Sequence, residues 1–520
     1  MDKRPRGRVQ DQSAARRPAA LGLALAACLA LAEPAPAQPV PGRAPDPVPL
    51  PAPSAGLPNP LGEAGLRGSA NPAVTARAAS AGERRREPPR RPSRPPARAV
   101  VRAVTQVPSE DLRVRPIVQV PVTGVPDPVA AVPLLRRRID PTDPYAPLGV
   151  EVGSITFFPA FQQSVGYDTN PDRAFVPKAS AVLRSEGELR LQSDWSAHAL
   201  SGELRGAYNT YPDNRTANRP DGDGALRLRL DAARDTRIEI EGRYLVTTQR
   251  VGSPDLNALS LRERPIVAAY GGTVGVVQDF NRLQVSLRGL VDRQSFDDAV
   301  RTDGTVIPQG DRNANTYGLR LRTGYEIRPG LTPFVDALVD TRIHDFAVDF
   351  NGYRRDSDGL TLRAGSTFEL SRILTGEVSG GWLRRTYADR RLRDVTGPVL
   401  DGALIWAATP LTTVRLGAST GVVETVVVGA SGILTQAALL EVTHDLRRNL
   451  RLTLLGSVFT NDYQGVRIQE DGYAAGIKID YRLNRWLGLR ASYTHENLRS
   501  TAARSSYDSD TFLFGVRVNP

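Results

Sequence analysis

From Gly149 to the C-terminus the chain alternates apolar and polar residues in successive runs, each of roughly the ten residues that cross a bilayer as a tilted strand. In residues 316–327, Tyr317, Leu319, Leu321, Thr323, Tyr325 and Ile327 share one face, opposite Thr316, Gly318, Arg320, Arg322, Gly324 and Glu326. Residues 222–232 repeat the pattern, with Leu226, Leu228 and Leu230 opposite Arg227, Arg229 and Asp231. Residues 450–460 set Leu450, Leu452 and Leu454 against Arg451 and Thr453. Successive side chains of a strand point to opposite faces, so one face meets lipid and the other meets water.

The connections alternate as well. Short polar turns fall at 193–195, 233–236, 279–282, 328–331, 370–373, 409–412, 446–449 and 483–486. Longer loops lie between them, among them 211–221, 294–315 and 461–471. This rhythm predicts an all-β fold: a transmembrane antiparallel up-and-down β-barrel of about 18 strands (16–18), with the short turns facing the periplasm. A soluble β-sandwich also alternates, but its strands are shorter and its loops follow no short/long order. Trp195, Trp406 and Trp486 sit in or beside short turns, where tryptophan forms part of an aromatic girdle.

Composition changes sharply before the barrel. Arg16 and Arg17 precede an apolar stretch, residues 19–32, that is too short to span a bilayer. Ala35-Pro36-Ala37 has the small-residue form of a signal-peptidase site, so residues 1–37 read as a signal peptide cut before Gln38. Leu25-Ala26-Ala27-Cys28 is a rival, a lipoprotein signal with Cys28 as the lipidated residue. Residues 38–147 are rich in Pro, Ala and Arg and bury too little apolar surface to fold, so they are expected to form a disordered periplasmic leader. The barrel then occupies 148–520.

The formal net charge of +11 belongs almost wholly to that leader: 22 basic and 12 acidic residues precede Gly149, and 45 and 44 follow it. Such a basic tail reads as a solvated tether. Lysine occurs only at 3, 178 and 478. An arginine bias this general does not mark phosphate recognition, and no nucleic-acid partner is expected.

The barrel entrance carries a signature. Asp143-Pro144-Tyr145-Ala146-Pro147-Leu148-Gly149-Val150 leads into Gly153-Ser154-Ile155-Thr156-Phe157-Phe158-Pro159-Ala160, then Gly166-Tyr167-Asp168-Thr169-Asn170-Pro171. This resembles the putative β-barrel porin family, type 2, an outer-membrane group. The resemblance implies a signal peptide, a Pro-rich leader and one C-terminal barrel, and brings neither a substrate nor catalytic residues. Read from the residues alone, 167–171 is a strand end running into an Asx-type turn.

Little else suggests chemistry. His198, His344, His444 and His495 lie far apart and outside any metal-ligand spacing. Asp221-Gly222-Asp223-Gly224 resembles part of a calcium loop but lacks the later ligands. We therefore expect no metal, no cofactor and no enzymatic activity.

What remains is the polar face. Pore-lining candidates are Arg227, Arg229, Arg288, Arg320, Arg322, Arg363, Arg415, Arg451, Arg490, Glu186, Glu188, Glu239 and Glu241. Carboxylates concentrate on the second, third, fifth and ninth strands, which predicts opposed walls of charge and a transverse field. Cross-strand pairing of the same charges is the alternative. The loop at 294–315 is expected to fold inward as a constriction, bringing Asp297, Asp298, Arg301 and Asp303 toward Arg288, Arg320 and Arg322. The leading functional expectation is a passive outer-membrane channel for small polar or anionic solutes. An exopolysaccharide export conduit and a structural or adhesive surface barrel are the alternatives. Expected partners are outer-membrane lipid and lipopolysaccharide, the barrel-assembly machinery and further copies of the chain.

Overall fold

A computed structural model describes residues 144–256, 261–371 and 373–520. The expected signal peptide with Ala35 and Ala37, the rival lipidation residue Cys28, and nearly all of the expected leader lie outside the described residues.

The described chain forms a closed antiparallel barrel of 18 strands. They are β1 (Ile155–Asp168), β2 (Ser180–Ser193), β3 (Ala199–Thr210), β4 (Arg219–Ala233), β5 (Thr236–Thr248) and β6 (Ile266–Phe280). Then follow β7 (Leu283–Phe296), β8 (Ala314–Tyr325), β9 (Leu331–His344), β10 (Ser357–Ser371), β11 (Leu374–Tyr387) and β12 (Val395–Thr409). The last are β13 (Thr412–Val423), β14 (Gly432–Arg447), β15 (Leu450–Gln464), β16 (Ile468–Arg482), β17 (Leu487–Ser500) and β18 (Tyr507–Val518). Each strand pairs with the next, and β1 closes on β18 from Phe161↔Val518 to Asp168↔Thr511. Closure leaves no sheet edge exposed to lipid, where an unpaired backbone group would find no water.

Alternation sets the two surfaces. Leu319, Leu321, Val335, Val339, Leu360 and Leu362 stand exposed on the outer face. Arg320, Asp336 and Arg363, one residue out of phase, point inward and are largely covered. All eight short turns fall where the pattern puts them.

The seam shows how the chain manages an unequal pair of strands. Strand β18 ends opposite Phe161, so the start of β1 lacks a neighbour there. A short strand, Val150–Val152, folds back and pairs with Ile155, Thr156 and Phe157 to fill that place. Pro159, which has no N–H to donate, sits in the gap between the two.

The signature at the entrance staples the same seam. Asp168 accepts the Asn170 backbone N–H at 2.9 Å, the expected Asx turn, and also the Ser509 hydroxyl at 2.9 Å. Arg173 joins Asp168 at 2.5 Å and Glu496 of β17 at 2.9 Å. Asp168 is therefore a fully buried structural carboxylate.

One expected loop is not there. Residues 461–471 are mostly strand, because Asn461 pairs with Glu470 and Asp462 with Gln469, leaving a turn at 465–467. Two of these polar residues, Asn461 and Glu470, are buried and pair with Thr435 and Arg250. The loop at 249–265, which no periodicity marks, is as long as the one at 297–313.

Candidate functional site: the charged lining and the mouth

The candidate lining is built on inward positions of neighbouring strands. Arg227 meets Glu241 at 2.8 Å, Arg288 meets Glu239 at 2.7 Å, and Arg229 lies 3.3 Å from Asp231. Arg320 meets Asp336 at 2.6 Å, and Arg363 bridges Asp336 at 3.3 Å and Asp401 at 2.7 Å. Arg415 pairs with Glu441, Arg451 with Asp445 and Arg490 with Asp480, at 2.6, 2.7 and 2.5 Å. Glu186 holds Arg184 at 3.1 Å, and Glu188 holds Arg517 across the seam at 2.7 Å. The sequence-predicted arginines and carboxylates thus come together as interleaved pairs. These charges pair with carboxylates on the same strand or on strands close by, rather than standing as opposed walls.

Several partners escaped the sequence reading, notably Glu377, Asp401, Glu441, Asp445 and Asp480. Each lies on the inward phase of its strand, which was the available signal.

Three pairs that step over a whole strand do so directly across a glycine in register. Arg243 of β5 reaches Asp292 of β7 at 2.6 Å, with Gly271 of β6 between them in register. Glu239 reaches Arg288 over Gly275 in the same way. Asp340 of β9 reaches Arg385 of β11 over Gly359. A Cβ on Gly359 would stand 2.5 Å from an Asp340 carboxylate oxygen and 2.6 Å from Arg385. These inward glycines keep the path clear. Arg322 makes a longer reach, to Glu377 of β11 at 2.8 Å, lying over the Phe334 ring 3.5 Å from its centroid.

Exposure falls along the bore. Toward the short-turn end, Arg227 and Arg229 keep 40% and 51% of their side-chain surface open, so water reaches them. At the long-loop end, Arg312 keeps 1%, Asp255 4% and Glu470 none, because the outer loops fold over the mouth. Arg312 lies 3.8 Å from the Phe296 ring centroid. Burial pushes its guanidinium down from the ordinary value, and Asp255, 3.3 Å away, opposes that shift.

The loop expected to fold inward does not bring its charged residues to the lining arginines. Residues 297–313 hold a small hairpin in which Val300 pairs with Val306, and its tip carries Asp303 out into solvent. Asp297 and Asp298 are also exposed, and Arg301 is half-buried. None of them partners Arg288, Arg320 or Arg322, whose carboxylates come from the wall. Ala299 and, on the returning limb, Gln309, Asp311 and Arg312 are the buried residues of this segment.

A closed 18-stranded barrel with an apolar outer face and a charged interior is the architecture of an outer-membrane β-barrel protein. The chain belongs to the family described as Putative beta-barrel porin 2, whose profile matches residues 143–520. Similar solved structures include a BenF-like porin from Pseudomonas fluorescens Pf-5 and OccAB3 from Acinetobacter baumannii. Each is 10% identical with a TM-score of 0.37, covering 71% of this chain and 100% of the other. OccK2 (OpdF) from Pseudomonas aeruginosa is 9% identical with a TM-score of 0.37, covering 71% of this chain and 98% of the other. Similarity at this level says nothing about solutes. No curated protein matches the chain.

Proposed function

We propose that this porin-family barrel is a passive channel for small polar solutes, anionic ones among them, and that the paired charges above are its lining. The observation that carries the reading is the continuous series of Arg–carboxylate pairs around the bore. Barrels of about eight strands are filled by their side chains, whereas much larger ones enclose water. A lining this polar is stable only against water, and the open surface of Arg227 and Arg229 supports such contact. Because opposite charges alternate, the lining should admit solutes of either sign and discriminate weakly between them. The roofed mouth disfavours a conduit for polysaccharide.

The leader belongs on the periplasmic side in this reading. Arg485, in the short turn before β17, donates to the Pro144 carbonyl at 2.9 Å, and Arg482 lies over the Tyr145 ring. Short turns face the periplasm, so the first described residues start there.

Liposome swelling tests the function. Vesicles carrying the full-length folded protein should swell in small sugars and small carboxylates, more slowly as solute size rises. Swelling no faster than in protein-free vesicles, with the barrel shown folded by its heat-modifiable gel mobility, would overturn the proposal.

A further inference from the structure

Strands β12 and β13 part company halfway up the wall. Their ladder stops at Gly402↔Ala418, although β12 stays paired with β11 as far as Arg385↔Val395 and β13 with β14 as far as Val423↔Ile433. Thr420 brackets the parting. Its hydroxyl accepts the Leu400 backbone N–H at 3.1 Å and donates to the Leu400 carbonyl at 3.2 Å. Its own N–H donates to the inward-pointing Asp401 carboxylate at 3.0 Å.

The packing gives the direction in which the strands part. Val422 and Leu434 lie on the outward phase of β13 and β14, yet they pack against Leu383, Val395 and Val399 on the inward phase of β11 and β12. A Cβ on Gly397, also on the inward phase, would stand 2.8 Å from a Leu434 methyl. The long-loop halves of β13 and β14 therefore tuck behind β12, and the wall overlaps itself as a lap joint. Beyond the joint, Glu424 pairs with Arg342 of β9, and Thr425 donates to Asp255 at 2.6 Å, so the chain runs on into the mouth.

The edge of β12 has the sequence of an edge without a ladder. Leu400 turns its N–H toward β13, and Pro398, two residues before it, faces the same side. Proline there forfeits no ladder bond and blocks pairing with a foreign strand. Thr396 and Pro398 are exposed, and Trp382, the register partner of Pro398, stands 57% open on the outer face, as interfacial tryptophan does. One lip of the joint thus lies at the outer-leaflet boundary, where headgroup water reaches the backbone, and the other lies under the mouth.

The joint is sealed largely by aliphatic packing. A ladder is held by directional hydrogen bonds, whereas apolar contact is non-directional. An apolar group that enters between the two layers replaces like with like, while the charged lining elsewhere would reject it. We propose that the lap joint between β12 and β13 is a lateral route by which small apolar solutes pass between the bore and the outer leaflet. This goes beyond the polar channel and does not use its charge pairs.

The test follows N-phenyl-1-naphthylamine, an apolar probe that fluoresces on reaching lipid, in bacterial cells expressing the full-length protein. Wild type should raise uptake above that of cells lacking the protein. Leu400→Cys with Thr420→Cys sets two thiols across the parting; the disulfide should abolish the increment and its reduction should restore it. Val399→Ala thins the seal and should raise the increment. Vesicles carrying either variant should swell in small sugars at the wild-type rate. Heat-modifiable mobility confirms folding, and thiol titration reports the disulfide. A folded wild type without an increment overturns the route, as does an increment that survives the formed disulfide. If the disulfide does not form, an unchanged increment in Val399→Ala overturns it. The channel reading stands or falls separately, on the sugar swelling.

Discussion

Asp336 shows what a single inward carboxylate does in this barrel. It is fully buried and touches both Arg320, at 2.6 Å, and Arg363, at 3.3 Å. Removing it leaves two guanidiniums side by side in a covered site, and breaking a buried pair from one end costs about 3–5 kcal/mol. We expect Asp336→Ala to lower the urea midpoint of the protein in lipid vesicles, and Asp336→Asn, which keeps a hydrogen-bond acceptor, to lower it less. Equal midpoints for wild type and Asp336→Ala would mean the pairs contribute nothing to the wall. The arginines were readable one at a time, from alternation alone. Their partners were not, because pairing depends on register between strands, and Glu377 lies 55 residues from Arg322.

At the scale of strands, alternation and turn chemistry carried most of the information. Leu321 keeps 47% of its surface open on the lipid face while Arg322 is covered inside. A charge on the lipid face near the midplane costs about 2–4 kcal/mol, so Leu321→Arg should cut the yield of assembled barrel in membranes. Normal assembly of Leu321→Arg alongside loss of assembly in Arg322→Leu would invert the assigned faces. Gly359 makes a finer test. Its neighbours are the far ends of two flexible side chains, so Gly359→Ala should separate Asp340 from Arg385 and leave the backbone in place. The expected result is a folded barrel with a lowered urea midpoint, and an unchanged midpoint would show that the pair reaches its geometry without the glycine.

The loops were the least legible elements, for a physical reason. Polar residues at 461–471 look like a loop, yet Asn461 and Glu470 pair in register as strand. Conversely, Gly252-Ser253-Pro254-Asp255 shows turn chemistry but gives no sign of its reach. Strand periodicity reports which face a residue takes, whereas a loop's path is set by contacts on the far side of the barrel.

For the whole molecule, we propose from composition that residues 38–147 add no core and that the barrel stands on its own strand pairing. Deleting residues 38–138 while keeping residues 1–37 should leave a heat-modifiable barrel in the outer membrane. Loss of that barrel would make the leader an integral part of the fold. The central claim, that the paired charges line a water-filled path, is tested most directly by single-channel recording of the full-length protein across a potassium chloride gradient. The account predicts discrete conductance steps and a reversal potential close to zero, because alternating pairs favour neither ion. A folded protein that gives no steps, or one whose reversal potential sits near the limit for a single ion, would contradict it.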